Sequence, residues 1–223
     1  MKTTKETLPL LEDFLLSLQS NNYSPETVYN YERDLKVFEH FLIESKFSFA
    51  KLERRSIDYY KAYLNSIDRQ TAEMAQTTTR LKSYSINRVL SSLRAYLRYL
   101  IEMDYKSPIL AENVKLVKTE RKHPKVGEFN EIVKLIEAPD KLEKNPFVAT
   151  RNRVMLEILF STGMRISELI NLKKAQIDST GKIFIMGKGK KERFVYMTPR
   201  ATHHLKNYLA LRNTDSDYLF IPL

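Results

Sequence analysis

The chain has 223 residues with no cysteine, and its 37 Lys and Arg against 27 Asp and Glu give a formal net charge of +10. The missing thiols exclude disulfides, thiolate zinc sites and a cysteine nucleophile, and they fit a reducing compartment. A hydrophobic fraction of 43% is enough for one large or two modest domains. The basic excess points either to a polyanion, nucleic acid or an acidic membrane face, or to nothing more than a well-solvated surface.

The opening stretch, MKTTKETLPLLEDFLLSLQS, has an apolar patch that Glu12 and Asp13 interrupt, so it reads as neither a signal peptide nor a membrane span. No apolar run elsewhere approaches membrane length, and we read the protein as cytoplasmic. Helical spacing covers residues 8–19. A second helix follows in which Ser24 is the N-cap candidate, Pro25 sits at the first helical position, and Val28, Tyr31, Leu35, Phe38 and Leu42 share a stripe. Residues 54–66 form a third candidate helix, and AEMAQTTTRLK reads as a loop or a frayed helix end. In SYSINRVLSSLRAYLRYLIEMDY, the residues Ile86, Leu90, Leu93, Leu97 and Leu100 fall on one face. Arg88, Arg94 and Arg98 lie off it, with Arg80 and Lys82 just upstream, which makes either a basic surface or an ordinary solvated face.

Between Ser107 and Asn130 the character changes. Pro108 and Pro124 bracket Lys115, Lys118, Arg121 and Lys122, and Lys125 follows. Prolines disfavour continuous helix, and like charges favour extended, solvated chain, so the best domain boundary lies here. Helical spacing resumes at about 128–138 and again in TRNRVMLEILFST, where Val154, Met155, Ile158 and Leu159 are spaced for burial and Gly163 ends the helix. A further helix at about 165–173 is expected to bury Ile166, Leu169, Ile170 and Leu172. Then the period changes. KIFIM and RFVYM flank GKGKKE, a β-hairpin signal, and a last helix covers about 199–212.

Two places offer chemistry. Arg165 follows the glycine break at a helix start, with Glu168 three residues on. An arginine there can meet a phosphate, with the glutamate orienting it, but on spacing alone the two read as a surface ion pair of little energetic weight. The hairpin turn concentrates Lys188, Lys190, Lys191 and Arg193. The glycines around Lys188 allow close backbone approach to a ligand, although the P-loop spacing is absent. The plainer alternative is a solvated basic turn that protects a sheet edge. The four histidines form no metal motif.

In combination these segments resemble the tyrosine recombinase (phage-integrase-like) family, most closely its Xer-type members. LEDFLLSLQSNNYSPETVYNYERDLKVFEHFL and SINRVLSSLRAYLRYLIEMDYKSPI resemble helices of that family's N-terminal domain. HPKVGEFNEIVKLI resembles the start of its catalytic domain. STGMRISELINLKKAQID and IFIMGKGKKERFVYM match its arginine motif and its Gly-Lys-Gly-x-Lys-x-Arg hairpin.

The resemblance implies a mainly α fold. An N-terminal four-helix core-binding (SAM-like) domain would span 1–114, a basic linker 115–127, and the N-terminal part of an α+β catalytic domain with a small β-hairpin sheet 128–223. It implies two domains clamped on double-stranded DNA, recombinase subunits acting as homo- or hetero-tetramers, and no cofactor, metal or membrane. Arg165 would bind the scissile phosphate, Glu168 would support it, and Lys188 would protonate the leaving 5′-oxygen. Arg80, Lys82, Arg88, Lys118, Arg121, Lys122, Lys190, Lys191 and Arg193 would contact DNA. The family's His-x-x-Arg motif, its further His or Trp and its nucleophilic tyrosine have no counterpart here. Tyr218 aligns with a structural tyrosine. This polypeptide is therefore expected to bind DNA without cleaving it. The alternative is a non-enzymatic protein that occupies or regulates recombination sites.

Overall fold

Ser24 caps the second helix as its sequence position predicts. Its backbone is extended, its hydroxyl accepts from the Thr27 amide at 3.3 Å, and Pro25 supplies the first helical residue. The structure, a computed structural model, describes residues 7–67, 69–73, 79–120, 124–186 and 191–221. It separates into two compact units, Met1–His123 and Pro124–Leu223.

The first unit contains α1 (Leu11–Ser20), α2 (Pro25–Glu44), α3 (Arg54–Asn65) and α4 (Ser83–Glu102), with 3-10 turns at Phe49–Lys51 and Ala111–Asn113. The expected stripes are the ones that pack. Leu35, Phe38 and Leu42 of α2 meet Tyr60 and Leu64 of α3, and Leu90, Leu93, Leu97 and Leu100 of α4 complete the core. Two tyrosines are buried against phenylalanines with ring centroids 4.8 Å apart for Phe38–Tyr60 and 5.6 Å for Phe14–Tyr96, so aromatics serve the core here.

The stretch after α4 is not simply solvated linker. Ile109, Ala111 and Val114 are buried in the first core. Beyond them the Asn87 side chain accepts from the Val117 amide at 2.8 Å and donates to its carbonyl at 2.9 Å, imitating a strand partner. The Tyr84 hydroxyl donates to the Glu120 carbonyl at 3.0 Å. Residues 114–120 are thus extended, as like charges and prolines predict, but held along α4.

The second unit contains α5 (Phe129–Leu142), α6 (Pro146–Thr162), α7 (Ile166–Ile170), β1 (Lys182–Met186), β2 (Glu192–Tyr196) and α8 (Pro199–Leu211). The strands pair antiparallel with Lys182 opposite Tyr196 and Met186 opposite Glu192. Val154 and Ile158 of α6, Leu169, Ile183 and Ile185, and Tyr208 of α8 form the core. The Leu219 amide donates to the Leu172 carbonyl and the Lys174 amide to the Asp217 carbonyl, so the segment around Tyr218 lies as a short strand beside residues 172–174.

One expectation is corrected. The helix after Gly163 is a single turn and a half, and Ile166 and Ile170 are exposed rather than buried. Leu169 and Leu172, three residues apart, take the inward face, which puts the isoleucines four apart on the outer one. No helix among the described residues is long and apolar enough to cross a membrane.

Candidate active site

Gly163 ends α6 in a left-handed conformation, φ 62°, that an L side chain rarely adopts. Met164 then anchors the chain in the core. Arg165 follows with extended backbone, φ −74° and ψ 151°, as the N-cap of α7. It stands just outside the helix rather than within its first turn. A five-residue helix also sums too few peptide dipoles to attract an anion strongly, and the Glu168 and Leu169 amides both bond back to the Arg165 carbonyl. The helix terminus therefore adds little, and the guanidinium carries the positive charge of this spot.

Glu168 turns back toward the N-cap. Its Oε2 accepts from the Arg165 amide at 2.7 Å, and its Oε1 accepts from Arg165 Nη1 at 3.0 Å. From β2, Arg193 adds a forked pair, Nη1 to Oε1 at 3.1 Å and Nη2 to Oε2 at 2.7 Å. Each carboxylate oxygen accepts two hydrogen bonds, which uses the whole accepting capacity of the group. The Arg193 fork first, and then the Arg165 amide and guanidinium, hold the Glu168 carboxyl at about 2 against the usual 4.5. The same pairing pushes Arg193 up. Glu168 is therefore ionised at neutral pH and has no capacity left for proton transfer.

Two guanidinium charges surround one carboxylate, leaving a net positive charge. Arg165 gives its exposed face to solvent, with its side chain 63% accessible against 10% for Glu168. The open face is a pocket of about 610 Å³ lined by Arg165, Ser167, Glu168, Asn171, Gln176 and Met186, among others. Gln176 is itself fixed, accepting from the Lys173 amide at 2.8 Å and donating to the Phe184 carbonyl at 2.9 Å. An anion of phosphate size fits the charge and the opening.

The structure thus brings Arg165, Glu168 and Arg193 together. Lys191 is exposed just before β2. Lys188, Lys190, Arg121 and Lys122 lie outside the described residues. In the first unit Arg80, Lys82 and Lys118 are exposed, and the tether at Val117 sets Lys118 alongside the first turns of α4. Arg88 is half engaged. Its Nη1 donates to the buried Asp34 at 2.7 Å, where the Ser92 hydroxyl also donates at 2.7 Å. Burial pushes the Asp34 carboxyl up, against the pull of Ser92 and Arg88. Tyr218 lies half exposed under Lys173, with the ammonium 5.6 Å from the ring centre.

Sequence reasoning missed two things. It placed Arg193 among the DNA contacts and did not foresee its forked pairing with Glu168. It also passed over a buried ionic cluster in the same unit. Arg153, with a side chain 6% exposed, donates to Glu157 at 3.0 Å and to Asp140 at 2.7 Å. Arg200 of α8 donates to Glu157 at 2.6 Å and to Glu137 at 3.1 Å, so the cluster ties α5, α6 and α8 together. His204 stands 3.8 Å from Glu157, and burial lowers its pKa. The available signal was an Arg and a Glu four residues apart inside an apolar helix.

Residues 11–103 match the phage integrase N-terminal SAM-like domain, and residues 125–222 match the phage integrase family. Tyrosine recombinase XerC of Staphylococcus aureus (strain MSSA476) is 31% identical over 220 residues, covering 95% of this chain and 68% of the relative. The chain belongs to the tyrosine recombinase family. Tyrosine recombinase XerD of Staphylococcus saprophyticus is 29% identical to this family member over 223 residues, covering 96% of this chain and 70% of the relative. Among solved structures, the XerH site-specific recombinase bound to its palindromic difH substrate shares 22% identity with a TM-score of 0.68, covering 95% of this chain and 60% of that one. The Tn1549 transposon integrase in complex with circular intermediate DNA shares 16% identity with a TM-score of 0.61, covering 96% of this chain and 71% of that one. These two likenesses establish the recombinase fold.

Proposed function

We propose that this chain binds double-stranded DNA and holds the scissile phosphate of a site-specific recombination reaction on Arg165. The observation that carries the reading is the Arg165 guanidinium, steered by a saturated Glu168 and facing an open pocket with net positive charge. A phosphate there exchanges water for charge-assisted hydrogen bonds, and the same donors meet the charge that grows on phosphorus in the transition state. In the full reaction a tyrosine hydroxyl attacks phosphorus to give a 3′-phosphotyrosyl link, and the departing 5′-oxygen takes a proton, for which Lys188 is the candidate donor. That assignment is supported by the Gly-Lys-Gly-x-Lys-x-Arg match of the hairpin segment. Arg80, Lys82, Arg88, Lys118, Arg121, Lys122, Lys190 and Lys191 would contact the duplex backbone, and recombinase subunits would assemble as tetramers on paired sites. The two units, which divide between His123 and Pro124, would correspond to a core-binding domain and a catalytic-domain portion.

The 223 residues contain no His-x-x-Arg sequence, and Tyr218 rests against Lys173 on the short strand beside residues 172–174. We therefore expect this polypeptide by itself to bind DNA without cutting it, and the same observation favours the second reading, a binder that occupies or regulates recombination sites. Binding to a fluorescent duplex should weaken steeply with salt, with a log–log slope near −0.9 per phosphate neutralised. A flat salt dependence removes the DNA reading. Incubation with nicked duplexes enriched by binding selection should give no covalent adduct on a denaturing gel. An adduct removes the non-cleaving part of the proposal and leaves the phosphate site intact.

A further inference from the structure

From the four hydrogen bonds that close on Glu168, we propose that Arg193 is a positioning residue for the phosphate site rather than a DNA contact. It fixes the Glu168 carboxylate, and through it the direction of the Arg165 guanidinium. This inference rests on the phosphate-binding reading of Arg165.

Arg165 is tethered to Glu168 by one side-chain bond and one main-chain bond. Those two bonds hold the carboxylate through Arg165 alone, whose own side chain is largely exposed, and the last torsion of Glu is intrinsically broad. The Arg193 fork adds a second, independent hold from β2, because two parallel N–H groups match both oxygens at once. Arg193 is itself held. It sits in β2 opposite Ile185, with the buried Ile183 and Ile185 of β1 setting the register of the pair. Glu168 therefore joins an element that starts at Arg165 to a strand pair that is locked into the core. Arg193 gives both fork nitrogens to Glu168. Arg165 gives one Nη and keeps its exposed face for an anion.

A double-mutant cycle on the whole chain separates the roles, using a fluorescent duplex at fixed salt with thermal melting as a check on folding. Arg165→Ala should weaken binding about tenfold, the loss of a hydrogen bond to a charged group. Arg193→Met should weaken it about fivefold when Arg165 is present and less than twofold in the Arg165→Ala background, because interacting groups are not additive. Arg193→Lys, which keeps the charge but not the fork, should behave like Arg193→Met. Equal losses in both backgrounds, with a further drop of about 0.9 in salt slope, would make Arg193 a direct phosphate contact and overturn the inference. So would unchanged affinity in Arg193→Met or full rescue by Arg193→Lys. Should Arg193→Met fail to melt cooperatively, Arg193→Lys alone decides: wild-type affinity overturns the inference, and a loss that vanishes with Arg165→Ala sustains it. If Arg165→Ala itself has no effect, the phosphate reading falls first.

Discussion

Glutamine at position 168 would keep the shape of the side chain and lose half its acceptors. An amide offers one oxygen, and its NH2 would face the N–H groups of Arg165 and Arg193. Glu168→Gln should therefore destabilise the second unit by about 1–3 kcal/mol at pH 7, read from urea unfolding. The pH dependence has a definite sign. The folded carboxyl titrates at about 2 and the free one near 4.5, so its contribution is fully present above that higher value and fades as pH falls toward the lower one. The gap between wild type and Glu168→Gln should hold from pH 7 to 5 and narrow by pH 3. A gap that stays constant through this range would mean that Glu168 is not held by charge.

Sequence and structure agree most closely where helices have one wet and one dry side. The stripe Ile86, Leu90, Leu93, Leu97 and Leu100 predicts the buried face of α4 because that face spans many turns. The same argument misplaced Ile166 and Ile170, since a helix of five residues shows too little of its period to choose between two apolar faces. Arg165 and Glu168 were legible as a pair because they are three apart. The partnership of Glu168 with Arg193 was not, for it spans 25 residues and depends on hairpin register. Nor was the strand-like hold of Asn87 on Val117. Asn87→Ala leaves two backbone groups of Val117 without partners and should cost about 1–3 kcal/mol. It should also speed amide exchange at residues 115–120, and unchanged exchange would show that the tether is idle. Arg153→Ala strips a buried guanidinium from Glu157 and Asp140 and should cost about 3 kcal/mol or more, measured by chemical unfolding. A loss below about 1 kcal/mol would mean that Arg200 alone satisfies Glu157.

The two hydrophobic clusters share no residue: the first ends its buried set at Val114 and the second begins at Val154. Each unit has a core of its own, and fragments 1–123 and 124–223 should each unfold cooperatively. A non-cooperative melt for either fragment would show that its core is insufficient. A polypeptide also meets its own fold in time. Leu172, which lines the Arg165 pocket, receives its strand partner from Leu219, which follows it only after β1, β2 and α8. During synthesis the first unit has all its buried residues once Val114 has left the ribosome tunnel, whereas the wall beside Arg165 waits until Leu219 has emerged. A nascent chain stalled shortly after Tyr208 would carry a folded first unit and a pocket that still lacks the strand partner of Leu172.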